Sequence, residues 1–458
     1  MVTEASETNR DAGSVGDVAA RIERLPISKW HIKVRIVLGM ATFFDAFDAL
    51  SLAYVLPVLI PLWTFTPAEI GLLISSGFAG QLVGALFFGW LAERFGRRPA
   101  VIACILVFSI MSLACAFAWN YSSLFVMRIV QGVGLGGEVP IAMTLINEIC
   151  ATKGRGRFVV LFELVFPIGL VAAALFGWWI VPTMGWQAMF VIGALPGLVC
   201  LVLHRFIPES PRWLANKGRR AQAVAALDAI EREVAGAGQT LPEISPMKVG
   251  ADRHASFKDM FGPIYLRRTL VVWLLWFGTY LCNYSLTAWM PSIYRSIFHL
   301  PLEVSLRYSL ITSIFGVIGG LACALTVDVF GRRKLFSFAL LWSAVALLSL
   351  WWTGATSAET VLIGVTVSYL GITVLSNGLY LYTPELYPTR VRALAVSSAT
   401  GWLRLASIIG PTAVGYIVAA GELKNVFLVF ALVAALAGLV VMLFGTETKS
   451  RLLEDVSP

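Results

Sequence analysis

Charge is what this sequence has least of. Lys, Arg, Asp and Glu together make up only 14% of its 458 residues, against roughly 25% in a soluble globular chain. That shortfall excludes a conventional water-facing surface over this length. Cysteine is sparse as well: Cys104, Cys115, Cys150, Cys200, Cys282 and Cys323 lie in or at the ends of apolar runs, with no Cys-x-x-Cys pair. Disulfide frameworks and metal centres need clustering, so these read as small buried residues and no metal is expected. There is no Walker-type Gly-rich loop and no nucleophile–base arrangement. The chain is therefore read as neither an ATP-driven pump nor another enzyme, and no cofactor is expected. From Met1 to about Pro26 the sequence is polar and rich in Gly, Ala and Ser, with no apolar core. That excludes a cleaved signal peptide and predicts a disordered or loosely attached tail.

What is abundant is apolar sequence, 58% of the chain, in recurring runs of about 20 residues, the length of a helix crossing a bilayer core of roughly 30 Å. In lipid every backbone polar group must be satisfied internally, so such runs must be helices. They predict an all-α membrane protein with twelve transmembrane helices, at roughly 33–60, 68–92, 98–118, 122–147, 157–181, 187–207, 268–291, 305–330, 335–354, 358–383, 391–419 and 425–445. The implied organisation is a tail (1–32), a six-helix bundle (33–207), a polar linker (208–266), a second six-helix bundle (267–446) and a second tail (447–458).

The net charge of +8 could suggest nucleic acid, but the basic residues sit in short loops rather than in the patch or stripe such binding needs. No nucleic-acid partner is expected; the lipid bilayer is. Arg94, Arg97 and Arg98 follow the second run, Lys153, Arg155 and Arg157 the fourth, and Arg212, Lys217, Arg219 and Arg220 the sixth. Arg332, Arg333 and Lys334 follow the eighth, Arg390 and Arg392 the tenth. The alternate loops are poor in Lys and Arg, with Arg295 and Arg307 the main exception. The positive-inside rule then places both termini in the cytoplasm of a multi-pass cell-membrane protein. Arg219 to Val234 reads as an amphipathic helix on the inner membrane surface.

A repeat is visible. Asp328-Val-Phe-Gly331-Arg332-Arg333 stands 235 positions after Glu93-Arg-Phe-Gly96-Arg97-Arg98, and the pair Glu385 and Arg392 stands 237 positions after Glu148 and Arg155. Two landmarks with nearly one offset argue for a duplicated six-helix unit, as in transporters that bind substrate near mid-membrane between their halves.

Here the residues resemble a family. Gly89-Trp-Leu-Ala-Glu93-Arg-Phe-Gly96-Arg-Arg98 is similar to the signature loop of the major facilitator superfamily, with Glu where Asp is usual. Pro208-Glu-Ser-Pro-Arg-Trp-Leu214 and Tyr382-Thr-Pro-Glu-Leu-Tyr-Pro-Thr389 through Arg392 resemble segments of sugar porters and organic-ion transporters. The resemblance covers essentially the whole chain beyond the tail. It looks closest to bacterial relatives of the organic-ion and synaptic-vesicle-glycoprotein-like transporters, a group that includes niacin carriers. It implies the major facilitator fold of two pseudo-symmetric bundles and a monomer.

The acid–base groups at the helix ends can act as a cytoplasmic gate, since ion pairs and helix-end dipoles there hold that side shut until they break. The candidates are Glu93, Arg97, Glu148 and Arg155 with Asp328, Arg332, Glu385 and Arg392; the competing reading is positive charge acting only as a topology signal. Ionisable groups inside spans are functional hypotheses by default. Asp45 and Asp48, three apart, share a helix face, and two nearby carboxylates out of water cannot both ionise cheaply, which is how a proton carrier would be built. Asp45-Ala46-Phe47-Asp48 also resembles the Asp-Gly-aromatic-Asp motif of aromatic-acid/proton symporters, with Ala46 for the glycine. The alternative is that one Asp pairs with Arg128. Glu138 and Glu163 are candidates for protonation or structural pairing.

Gly401-Trp-Leu-Arg404-Leu-Ala-Ser407 resembles the eleventh-helix segment of organic-ion transporters, in which anion carriers tend to have Arg and cation carriers Asp. A guanidinium suits a carboxylate through paired hydrogen bonds; an internal pair with Glu163 or Asp48 is the alternative for Arg404. Arg128 opens a glycine-rich stretch (Gly132, Gly134, Gly136, Gly137) that permits close helix packing, and it either links proton and substrate sites or partners Asp45. Trp276, Tyr280, Asn283 and Tyr284, with Phe166, Asn377, Tyr380 and Trp402, suit a pocket for a flat ligand, though aromatics in spans also serve as packing and interface anchors. Asn283 stands 235 positions after Asp48.

The reading that results is proton-coupled uptake of a small organic anion, such as nicotinate or another aromatic carboxylate, by alternating access. A sugar porter is the nearest rival, set back because helices 5 and 7 lack the glutamines that family uses. An efflux antiporter is set back because Phe166-Pro167-Ile168-Gly169 lacks the glycine-rich antiporter pattern. A sensor on a transporter fold would differ in binding without moving its ligand.

Overall fold

The structure, a computed structural model, describes residues 14–152, 155–198, 200, 206–236, 241–244 and 257–449. Lys153, the side chains of Arg157 and Arg390, and parts of the expected tails, linker and sixth span lie outside those residues.

The N-terminal half holds α1 (Val15–Glu23), α2 (Lys29–Trp63), α3 (Pro67–Phe95), α4 (Arg97–Ala116), α5 (Tyr121–Ile149), α6 (Arg155–Glu163), α7 (Val165–Met184) and α8 (Gln187–Gly193). The linker adds α9 (Pro211–Asn216) and α10 (Arg220–Ala235). The C-terminal half holds α11 (Leu266–Ser296), α12 (Leu302–Phe330), α13 (Arg332–Trp352), α14 (Ala358–Glu385), α15 (Thr389–Ala419) and α16 (Leu423–Phe444). Among the described residues eleven helices are long and apolar enough to cross a membrane. The expected sixth span is described as the shorter apolar helix Gln187–Leu198, and part of its continuation lies outside the described residues.

Local chemistry sets the helix ends. At the start of α3 the Thr66 hydroxyl accepts from the Glu69 amide (3.3 Å) while the Glu69 carboxylate accepts from the Thr66 amide (2.8 Å), a capping box with Pro67 in the first turn. Asn120 caps α5 through the Ser123 amide (2.8 Å). α3 and α12 stop at Gly96 (φ +115°) and Gly331 (φ +84°), where a side chain would be strained. The face carrying these two turns, with Arg97 and Arg332 beside them, is called here the basic face and the opposite one the far face.

Helix pairing repeats between the halves. α3 packs on α5 as α12 packs on α14, α2 on α7 as α11 on α15, and α4 on α5 as α13 on α14. The halves meet along α3 with α15, α7 with α12, and α2 with α11. Exchanging the halves maps the first two seams onto each other and α2/α11 onto itself, the signature of a pseudo-two-fold axis. The α3–α5 contact is backbone to backbone: a Cβ at Gly80, Gly84, Gly132 or Gly136 would collide with the carbonyl of Ile129, Val133, Gly77 or Gln81, respectively. Neither helix can yield there. Gly136→Val is therefore expected to cost at least about 3 kcal/mol, the upper end of ordinary overpacking. Gly89→Ala, where a Cβ meets open space, should be neutral; thermal unfolding of both variants in detergent measures the difference.

The structure departs from the sequence reading in three places. First, the expected continuous fifth span is interrupted at Leu164, between α6 and α7. Pro167 has no N–H to give the carbonyl of Glu163, so the break falls where Glu163 enters the cavity described below. Second, part of the N-terminal tail is the ordered helix α1. Val18 and Ile22 are buried against Trp213, Leu214, Ala223 and Leu227, and Arg21 forks onto Glu231 (3.0 and 2.8 Å) and reaches Asp228 (2.5 Å). Two apolar residues four apart are too faint a pattern to stand out in a Gly/Ala-rich stretch. Third, the amphipathic helix of the linker, α10, turns its apolar face to protein rather than to lipid: Ala223 and Leu227 meet α1, and Ile230 and Val234 join Leu25 and Trp30.

Candidate functional site

Between the halves lies a cavity of ≈ 200 Å³. Asp45, Gln81 and Arg404 line it at mid-helix, and Phe162, Glu163 and Tyr380 line it toward the basic face. Toward the far face the seam is closed. Among the described residues, four side-chain hydrogen bonds join the halves there or at mid-helix: Tyr54 with Ser313 (3.3 Å), Ser75 to the Ile408 carbonyl (2.6 Å), Thr412 to Ser75 (2.7 Å), and Arg404 to Gln81. Gly71 approaches the Pro411 carbonyl so closely that a Cβ would sit 2.7 Å from it.

Seven of the ten expected substrate residues line the cavity: Arg404, Tyr280, Asn283, Tyr284, Phe166, Asn377 and Tyr380. Tyr280 and Tyr284 are spaced four apart on α11 and therefore share a face; their rings stack at 5.8 Å and 29°. Trp276, one turn earlier, stacks on Tyr280 at 5.5 Å and 19° but does not line the cavity. It stands behind, its indole N–H donating to Thr383 Oγ1 at 2.9 Å. Tyr280 donates to the Ser376 carbonyl (3.2 Å), which fixes the ring. Trp402 packs outside the cavity against Trp273 and Phe277. Arg128, only 3% exposed, is also away from it: one guanidinium nitrogen donates to Gln131 (2.7 Å) and to the Asp48 backbone carbonyl (3.4 Å), and Nε has no hydrogen-bond partner among the described residues.

The carboxylates divide. Asp45 and Glu163 line the cavity. Glu138 is fully buried one layer behind, touched by the hydroxyl of Thr42 (3.2 and 3.4 Å), which itself lines the cavity. The charges of Arg404 and Asp48 act on Asp45, and that of Asp45 acts on Glu138. Asp48 lies deeper, accepting from Ser112 (3.2 Å) and from the Gln131 amide. Gln131 thus stands between Asp48 and Arg128. Among the described residues, none of these four carboxylates lies within ion-pair distance of Arg128 or Arg404.

On the basic face six of the eight expected gate residues come together as two triads. Arg97 bridges Glu93 (2.7 Å) and Glu148 (3.0 Å), and Arg332 bridges Asp328 (2.7 Å) and Glu385 (2.9 Å). Each triad sits wholly within its own half. Arg155 is in neither, and Arg392 reaches the Tyr387 carbonyl (3.4 Å). The sequence reading missed the anchors of both turns: Glu209 accepts from the Arg97 amide and Glu447 from the Arg332 amide, each at 2.9 Å. These two glutamates stand 238 positions apart, a third landmark of the repeat. It also missed Gln81, Thr42 and Gln131. A search for charges passes over amides and hydroxyls, yet Gln81 is the one glutamine of α3 and Gln131 the one of α5.

Residues 41–458 match the family model described as sugar (and other) transporter. The niacin transporter NiaP of Acinetobacter baylyi is 34% identical over 443 residues, 96% of this chain and 99% of that one. The 4-hydroxybenzoate transporter PcaK of the same organism is 28% identical over 401 residues, 86% of each chain. Among solved structures, a D-xylose–proton symporter superposes with a TM-score of 0.74 at 18% identity, covering 92% of this chain and 100% of that one, which speaks to the fold alone. With the paired bundles and central cavity already in place, these matches make the chain a multi-pass membrane transporter of the sugar (and other) transporter family, within the major facilitator superfamily.

Proposed function

We propose that the protein takes up a small aromatic carboxylate, of which nicotinate is the leading example, together with protons, by alternating access. The observation that carries this reading is Arg404: among the described residues it is the one basic side chain lining the cavity, and Tyr280 and Tyr284 line it too. A guanidinium offers a carboxylate paired, charge-assisted hydrogen bonds, while aromatic faces suit a flat ring. Relatives named for niacin and for 4-hydroxybenzoate support the same ligand class.

Asp45 is the proton carrier, with Glu138 behind it and Glu163, lining the cavity toward the basic face, as further acceptors. A proton on Asp45 removes a charge beside the one that binds the substrate, which couples the two events. The basic face is cytoplasmic, both termini lie on that side, and the protein works as a monomer in the cell membrane. The two arginine triads, each braced within its own half, are the two jaws of the cytoplasmic gate, with Arg155 and Arg392 beside them, and the gate shuts when the halves meet on that face. In this conformation the far seam is joined and the cavity lies on the cytoplasmic side of it.

The test is a binding panel on purified protein: nicotinate, benzoate, xylose and tetraethylammonium. The reading expects saturable binding of the two acids, undisturbed by excess xylose or tetraethylammonium. Binding of xylose or of the cation, with neither acid bound, would replace it by a sugar porter or a cation carrier.

A further inference from the structure

Gln81 is 4% exposed and belongs to α3, in the half opposite Arg404. Its backbone is pinned: Gly132 and Gly136 of α5 press directly on its amide and carbonyl, leaving no room even for a Cβ. Gln81 therefore moves with the N-terminal half. Its side-chain carbonyl accepts from Arg404 Nη1, and both residues line the cavity. This bond is the innermost of a row down the α3–α15 seam, after Gly71 against Pro411 and Ser75 against Ile408 and Thr412. The seam is joined while the cavity lies on the basic-face side of it. In alternating access the same seam must part when the far side opens.

The geometry points to Gln81 as the residue that ejects the substrate's anionic group: closing the far seam brings its carbonyl onto Arg404, where it competes with the carboxylate for the guanidinium. This rests on the reading of Arg404 as the anion's partner. When the far side opens, Gln81 is drawn off, Arg404 is uncovered and the anion binds tightly. When the seam closes, a carbonyl dipole fixed to the other half takes up one of the donors, and affinity falls on the side of release. The residue type matters. A neutral carbonyl makes a weaker bond to guanidinium than an ionised carboxylate does, so an incoming anion still wins. A glutamate at this position would not yield.

Two measurements decide it. The first needs no substrate. Spin labels on Thr64→Cys and Tyr416→Cys, both exposed and on opposite halves at the far face, report whether the seam is joined. Loss of a hydrogen bond to a charged group is expected to raise the separated fraction about tenfold in Gln81→Ala, and Gln81→Glu should lower it. The second is nicotinate binding and transport. Gln81→Ala should bind roughly three- to tenfold more tightly, with KM and kcat falling together because release has slowed; Gln81→Glu should lose binding. Unchanged label distances, or a Gln81→Ala variant that loses binding as Arg404→Ala does, would overturn the proposal, the latter making Gln81 an ordinary ligand. If the wild type binds neither acid, the substrate reading falls by itself, and the label distances then decide for or against the Gln81 bond.

Discussion

Arg404→Ala is expected to weaken nicotinate binding by about 30-fold or more while leaving thermal unfolding close to wild type. Truncating one partner of a buried, hydrogen-bonded charge pair costs about 2–5 kcal/mol, and each 1.4 kcal/mol is a factor of ten. The fold should tolerate the loss because Arg404 carries no ion pair among the described residues; its bond is to Gln81. Removing a cation from mid-membrane also relieves a desolvation cost. Arg404→Lys should recover only part of the affinity, since an ammonium restores the charge but not the planar fork. Isothermal titration on the three proteins, with unfolding curves alongside, gives both readouts. Full affinity in Arg404→Ala would remove the carboxylate from this part of the cavity.

The second large effect is expected at the carboxylates. Asp45→Asn and Glu138→Gln keep shape and hydrogen-bonding capacity but cannot cycle a proton. Each should reduce gradient-driven accumulation by at least about tenfold, the scale of one lost 1.4 kcal/mol coupling, while exchange of internal for external substrate continues near the wild-type rate. The geometry separates these two from Asp48. Asp48 is held by Ser112 and Gln131 and lies away from the cavity lining, so Asp48→Asn should lower stability and exchange together. Counterflow and gradient-driven uptake, measured on one proteoliposome preparation per variant, distinguish the cases. Asp45→Asn that accumulates substrate normally would take the proton pathway away from this residue.

Much of the architecture was legible because lipid leaves few choices. A run such as 68–92 must be a helix, and its observed limits, Pro67–Phe95, differ only where the Thr66 cap and Gly96 set the ends. The repeat was legible because Arg97 and Arg332 need the same neighbours in each half, and both triads are present. Arg404 and Asp45 stood out because charge inside a span is rare. Trp402 and Trp276 did not sort from Tyr280 by sequence, because an aromatic facing a cavity and one packed behind it look alike within an apolar run; only the neighbouring helix decides. Gln81 was invisible for a different reason. Its role depends on Arg404, 323 positions away, and on the seam that brings them together. The α6–α7 break shows the limit of hydropathy, since Pro167 sits inside an apolar run and its effect falls on the carbonyl four residues earlier.

The most direct test of proton-coupled anion uptake through this cavity is accumulation of labelled nicotinate by proteoliposomes of the wild-type protein, with an imposed inward proton gradient and with the gradient collapsed by an ionophore. The account predicts transient accumulation above the external concentration only with the gradient. Equal uptake in the two conditions, or none in either from protein shown to be folded, would contradict it.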